Sequence, residues 1–163
     1  MATRCNVIVK FGKSTVHLYR HWDGYPAVCG AAIVEAYNAT RKAHNPGPAF
    51  VSALLALRNE PRTGQTEGSP IYELTDDLHG DIEHVYAVRF NASDVAKIRH
   101  AARPQGMFDD AEGWTNDGKP LPMSGFVAIV NQEREEMNMR LVELAKESAF
   151  YADAEPFALV ALA

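Results

Sequence analysis

Cysteine is scarce in this chain: Cys5 and Cys29 are its two thiols in 163 residues. Two thiols cannot build the multi-bridge framework of a small secreted domain, so a reducing, cytoplasmic setting is expected. Parity allows one Cys5–Cys29 bridge, and the compartment speaks against it. Long apolar runs are missing too. None approaches the ~20 residues that span a bilayer, so no membrane association is expected. Met1 to Phe11 alternates polar and apolar residues and lacks the continuous apolar stretch of a signal peptide. An excess of positive charge is also absent. Sixteen Lys and Arg face twenty-one Asp and Glu, a formal charge of −5. That argues against a general nucleic-acid binder, and is too weak to suggest a DNA mimic. The chain has no repeats, Walker A loop, Gly-x-Gly-x-x-Gly, Gly-x-Ser-x-Gly elbow or Cys-x-x-Cys. No cofactor is implied.

What is present is the composition of an ordinary globule, 47% hydrophobic and 23% charged. A single α+β domain over 1–163 is expected. Val7, Val9 and Phe11 alternate with Ile8 and Lys10, the period of a strand. Gly12-Lys13 suits a two-residue turn, and Thr15 to His21 reads as the return strand. Pro26 is a good first helical residue. Ala27 to His44 reads as a helix, and Pro48 to Arg58 as a second. Asn59 to Ser69 is polar and rich in breakers, an exposed loop. Ile71 to Thr75 and Ile82 to Phe90 read as a second hairpin about an acidic turn. Ser93 is placed to cap a short helix ending near Arg103. Gln105 to Met123 reads as a loop holding Trp114. Gly125 to Val130 reads as a strand, Asn131 to Ser148 as a helix with Met137 packed inward, and Phe157 to Leu162 as a last strand or docked tail. The expected architecture is a mostly antiparallel sheet, built from two hairpins plus one or two further strands, with helices on one face.

The octapeptide Tyr19-Arg20-His21-Trp22-Asp23-Gly24-Tyr25-Pro26 is the densest chemistry in the chain. Arg20 could fork onto a phosphate or carboxylate, and His21 could move a proton near neutral pH. Tyr19, Trp22 or Tyr25 could stack on a ligand ring. The bland alternative is a strand-to-helix junction in which Asp23-Gly24 turns the chain and Arg20 pairs with an acid. An echo, His79-Gly80-Asp81, lies in the acidic turn with Asp76, Asp77 and Glu83. His21, Asp23, His79 and Asp81 together would suit a divalent metal, although their spacing is no known ligand signature. A salt link from Arg20 to that turn would explain both motifs structurally. His17, His21 and His84 are a weaker histidine set. Cys29 early in a helix could be activated by the dipole, but its alanine-rich surroundings suit a packed thiol.

The segments Tyr19–Pro26, Tyr72–Thr75 and His79–Tyr86 resemble a family of small uncharacterised bacteriophage and prophage proteins with Tyr-Arg-His-x-Asp-Gly-Tyr-Pro and His-Gly-Asp-Ile-Glu-x-x-Tyr motifs. The resemblance covers the chain to about Phe90. It brings no activity and no catalytic residues, and implies a viral product acting in the bacterial cytoplasm. Two functions fit. One is an accessory protein that binds a host defence or regulatory protein, with the loops around Trp114 and Glu60 to Ser69 in the contact. The other is a small nucleotide- or phosphoester-binding protein or hydrolase using Arg20, His21, Asp23, His79 and Asp81. Whether the chain is an enzyme stays open at this point.

Overall fold

The computed structural model describes residues 3–61, 63–76, 79–91, 96–102 and 120–145. The first hairpin forms as expected. Strand β1 (Cys5–Phe11) and strand β2 (Ser14–Arg20) pair antiparallel, with Cys5 opposite Arg20 and Phe11 opposite Ser14. Gly12 takes the first turn position at φ 55°, where a side chain would be strained. Cys5, Val7, Val9, Leu18 and Arg20 point to one face of the sheet; Asn6, Tyr19 and His17 point to the other.

The chain then enters a π-helical turn (Pro26–Gly30), helix α1 (Ala31–Thr40) and helix α2 (Pro46–Ala56). These two helices pack as a pair, and Phe50, Leu54, Ile33 and Val34 are fully buried beneath them.

The second hairpin does not form. Strand β3 (Tyr72–Thr75) pairs antiparallel with β2, while strand β4 (His84–Phe90) lies parallel to β1. The reason is burial. β1 carries three fully buried apolar side chains, Cys5, Val7 and Val9, and needs an apolar strand on each side. Tyr86 and Val88 of β4 provide it. β3 is short and half polar, which suits an edge. The sheet order is β3-β2-β1-β4-β5-β6, mixed by this one parallel pair.

Two further expectations are corrected. The segment expected to be a helix ending near Arg103 contains strand β5 (Ala96–Ala102), antiparallel to β4. Its alanines favour a helix by propensity, but Ala96 and Ile98 are buried at a spacing of two, and the open edge of β4 decides. Ser93 lies outside the described residues. Conversely, Gly125–Val130 is not a strand. It belongs to helix α3 (Met123–Glu136), which follows the short strand β6 (Leu121–Pro122). Met123, Phe126 and Val130 are buried at helical spacing, which outweighs the β-branched run. The helix stops at Glu136, well short of Ser148; Asn138 at φ 54° turns the chain away and Met137 is exposed. Asp77, Trp114 and Phe157–Leu162 lie outside the described residues.

The result is an α+β fold: a six-stranded, mostly antiparallel sheet with its three α-helices against one apolar core. No described helix is long and apolar enough to cross a membrane.

Candidate functional site

The octapeptide is split by strand alternation. Tyr19 and Arg20, adjacent in sequence, must point to opposite faces of β2. Arg20 turns into the core and is 7% exposed. Its Nε donates to the Trp22 carbonyl at 2.6 Å, its Nη1 to the Tyr72 hydroxyl at 3.2 Å, and its Cζ lies 5.4 Å from the Tyr72 ring centre. Burial works against its charge, but the Tyr72 and Cys29 groups outweigh that and hold the guanidinium protonated. The expected salt link to the acidic turn is therefore not made by Arg20. Arg4 makes it, with its Nε 3.2 Å from the Asp81 carboxylate and its backbone N–H donating to Glu83 at 2.5 Å.

On the other face Tyr19 joins the two histidine motifs. The His79 ring stacks on Tyr19 with centres 3.9 Å apart at 17°. The Tyr19 hydroxyl lies 3.2 Å from His21 Nδ1, and the His21 ring meets Trp22 edge-on at 4.6 Å. The His79 backbone N–H donates to the buried Asn6 carboxamide at 3.2 Å, and its Nε2 lies 3.2 Å from the Thr75 hydroxyl. So the echo does fold against the octapeptide's strand. Burial, followed by the Asp81 charge, pushes the Tyr19 hydroxyl up from its ordinary value.

Asp23 takes φ 54°, a left-handed conformation that Asp tolerates better than most residues. Gly24 is fixed by close approach. A Cβ there would sit 2.7 Å from the Arg4 carbonyl carbon and 2.8 Å from Cys5 Cβ. Its N–H donates to the Thr3 carbonyl at 2.8 Å, and its carbonyl accepts the Tyr86 hydroxyl at 2.8 Å. Tyr25 precedes the π-helical turn and its carbonyl accepts from Val28 and Cys29. Burial, then the Asp23 and Glu133 charges, raise its hydroxyl. From α3, Glu133 accepts the Ala27 N–H and Arg134 donates to the Ala27 carbonyl, clasping this turn.

A cavity of about 280 Å³ opens at this junction, lined by Tyr19, Arg20, His21, Trp22, Asp23 and Glu73 with the 69–71 segment and Asn59. His79 and Asp81 are not among its lining residues. The structure thus brings His21 and His79 onto one tyrosine, while of His21, Asp23, His79 and Asp81 this cavity takes His21 and Asp23 alone. Among the described residues no group of three or more His, Cys, Asp or Glu could hold a metal.

Sequence reading set one feature aside and missed two. Cys5 and Cys29 meet in the core, Sγ to Sγ 3.4 Å; only β1 packing against the π-helical turn brings them together. His84 and His100 also meet, Nδ1 to Nε2 2.9 Å, which the helix expected over His100 had hidden. Finally, Lys10, Arg89 and Lys97 fall in one cross-strand row over β1, β4 and β5. With Lys13 they line a depression of about 620 Å³. That row was legible only once β4 was known to lie beside β1.

Comparisons with family models, curated proteins and solved structures find no match to this chain.

Proposed function

We propose that this protein is a phage-type accessory protein that acts in the host cytoplasm by binding a host protein, through the surface around Trp22 and the β3 edge. The observation that carries the reading is Trp22 itself. The residue is 58% exposed although its indole meets the His21 ring edge-on. A large aromatic held in place and left in water is the usual anchor of a protein interface. Beyond it, β3 stands at the edge of the sheet and exposes Leu74 to 65%; an extended partner segment could add to such an edge. The 59–69 loop borders the same cavity. The phage context rests on the motif resemblance.

The test is capture from a bacterial lysate with the full chain as bait, identification of what is retained, and titration of the purified partner. Trp22→Ala should weaken binding by about thirtyfold, the effect of losing an anchor aromatic. Retention of nothing, or of nucleic acid through the Lys10–Arg89–Lys97 row, sinks the reading. So does a purified partner that binds Trp22→Ala and Leu74→Arg as tightly as the native chain.

The second reading, a small nucleotide- or phosphoester-binding protein or hydrolase, draws on the cavity beside His21 and Asp23. At about 280 Å³ it sits just below the usual size of a ligand pocket. Titration with nucleoside mono- and diphosphates tests it. Saturable binding lost in Asp23→Asn and His21→Gln supports it, and no binding removes it.

A further inference from the structure

Arg20 is a buried cation without a carboxylate. Among the described residues no carboxylate pairs with it: Arg20 reaches only the Trp22 carbonyl and the Tyr72 hydroxyl. A buried charge needs an opposite charge or dense hydrogen bonding. The group positioned to supply one is a sulfur. The Tyr72 hydroxyl that takes the guanidinium N–H also lies 3.4 Å from Cys29 Sγ. Cys5, directly across the strand pair from Arg20, puts its own sulfur 3.4 Å from Cys29. Cys29 as thiolate can accept from both the Cys5 thiol and the Tyr72 hydroxyl. Arg20 then has its anion, and each polar atom of the cluster has a use.

We propose that Cys5 and Cys29 form a redox dithiol, with Cys29 the attacking sulfur and Cys5 the resolving one, oxidised to an internal disulfide by a small peroxide. The Cys29 sulfur attacks one peroxide oxygen and the O–O bond breaks. The departing hydroxide takes a proton and leaves as water, and Cys29 becomes a sulfenic acid. The Cys5 sulfur attacks Cys29, the S–S bond forms and the S–O bond breaks. That hydroxide takes the Cys5 proton as the second water. Two thiols and one peroxide give one disulfide and two waters.

Three observations agree. The sulfurs must close by only about 1.4 Å to reach bonding distance. Burial alone would raise both thiols; it holds Cys5 well up, while for Cys29 the Cys5 hydrogen bond, the Arg20 charge and the Tyr72 hydroxyl outweigh it and bring it down. The two sulfurs therefore differ in the sense their two roles require. Both are fully buried, which excludes bulky disulfides and leaves a molecule the size of hydrogen peroxide, entering beside Arg20 from the cavity it lines.

The experiment treats the reduced full-length protein with hydrogen peroxide, blocks remaining thiols in denaturant, and reads intact mass and peptide linkage. These are the chain's two cysteines, so an internal bridge and an intermolecular one are cleanly told apart. The expected product is a monomer lighter by two hydrogens, linked Cys5 to Cys29. Cys5→Ser should halt at a sulfenic acid on Cys29 that a dimedone probe traps. Tyr72→Phe, which keeps the ring and its packing, should slow oxidation about tenfold at neutral pH, with less effect at alkaline pH, as expected when thiolate supply is limiting. The proposal is overturned if the folded protein forms no bridge or forms it no faster than the denatured chain. It is also overturned if the trapped sulfenic acid sits on Cys5, or if Tyr72→Phe reacts at the native rate.

Discussion

Acid should unfold this protein through a pair of histidines on adjacent strands. His84 and His100 share a hydrogen bond of 2.9 Å, with rings 5.2 Å apart at 13°. Tyr86 stacks on His100 at 4.7 Å and packs edge-on against Phe126 of α3 at 6.0 Å. The shared bond requires one ring to donate and the other to accept, so a second proton has no acceptor. Burial lowers both imidazoles from 6.5 to about 4, with the His100 charge adding to the effect at His84. In the unfolded chain both titrate near ~6.5. Between those values the unfolded state binds more protons, so stability is complete above about pH 6.5 and falls as the pH drops toward about 4. At ~1.36 kcal/mol per pH unit, one imidazole accounts for about 3 kcal/mol. The assay is urea denaturation followed by tryptophan fluorescence at a series of pH values across that window. Carboxylates titrate there as well, so the quantity to read is the difference between the native chain and a His84→Phe/His100→Phe variant. The variant, which removes both imidazoles, should lose about 6 kcal/mol less on acidification. Parallel curves for the two proteins would refute the reasoning.

Gly24→Ala should destabilise by about 2–3 kcal/mol in chemical denaturation, because the new methyl group meets backbone of Arg4 that cannot yield. Arg20→Met should cost about 3 kcal/mol, since it removes the guanidinium donors to the Tyr72 hydroxyl and the Trp22 carbonyl; exposed His21→Ala should change stability by less than about 0.5 kcal/mol. Equal losses at the two positions would mean that the faces have been assigned wrongly. Phe126→Ala should cost about 3–5 kcal/mol, as for other fully buried phenylalanines, and a negligible loss would contradict the placement of α3. Asp81→Asn should cost no more than about 1 kcal/mol, because the Arg4–Asp81 pair is partly in water; raised salt should shrink even that.

The fold was legible where a segment's own pattern decides its state. Val7 to Phe11 with Gly12-Lys13 could be little but a hairpin, and Pro26 and Pro48 mark helix starts within two residues. It failed where a neighbour decides. Ala96–Ala102 is helical by composition and a strand because β4 leaves a ladder of donors and acceptors unfilled. Gly125–Val130 is β-branched by composition and helical because Phe126 and Val130 have a packed core to enter. The order of strands was illegible for a related reason. Tyr72–Thr75 and His84–Phe90 are close enough in sequence to pair. The most apolar strand, β1, takes β4 instead, because burying Tyr86 and Val88 between β1 and β5 gains more than closing a short loop.

The octapeptide shows how far residue type alone can carry a site. Period two already divides the Tyr19 and Arg20 side chains between the two faces of the strand, although both reach the rim of the cavity at its end. That division assigns their work. Tyr19, with His21 on one side and His79 on the other, organises a surface; Arg20 organises a buried cluster with Tyr72, Cys29 and Cys5. The carboxylates follow neither. Asp81 goes to Arg4, a residue outside both motifs, and Asp23 bends the chain at φ 54°. A hydrolase of the expected kind needs all five residues on one substrate, and here Arg20, His21 and Asp23 line the cavity while His79 and Asp81 do not. A binding surface needs only a fixed aromatic in water and an edge strand beside it. Trp22 and β3 meet that lower demand, which is why the binding reading ranks above the catalytic one.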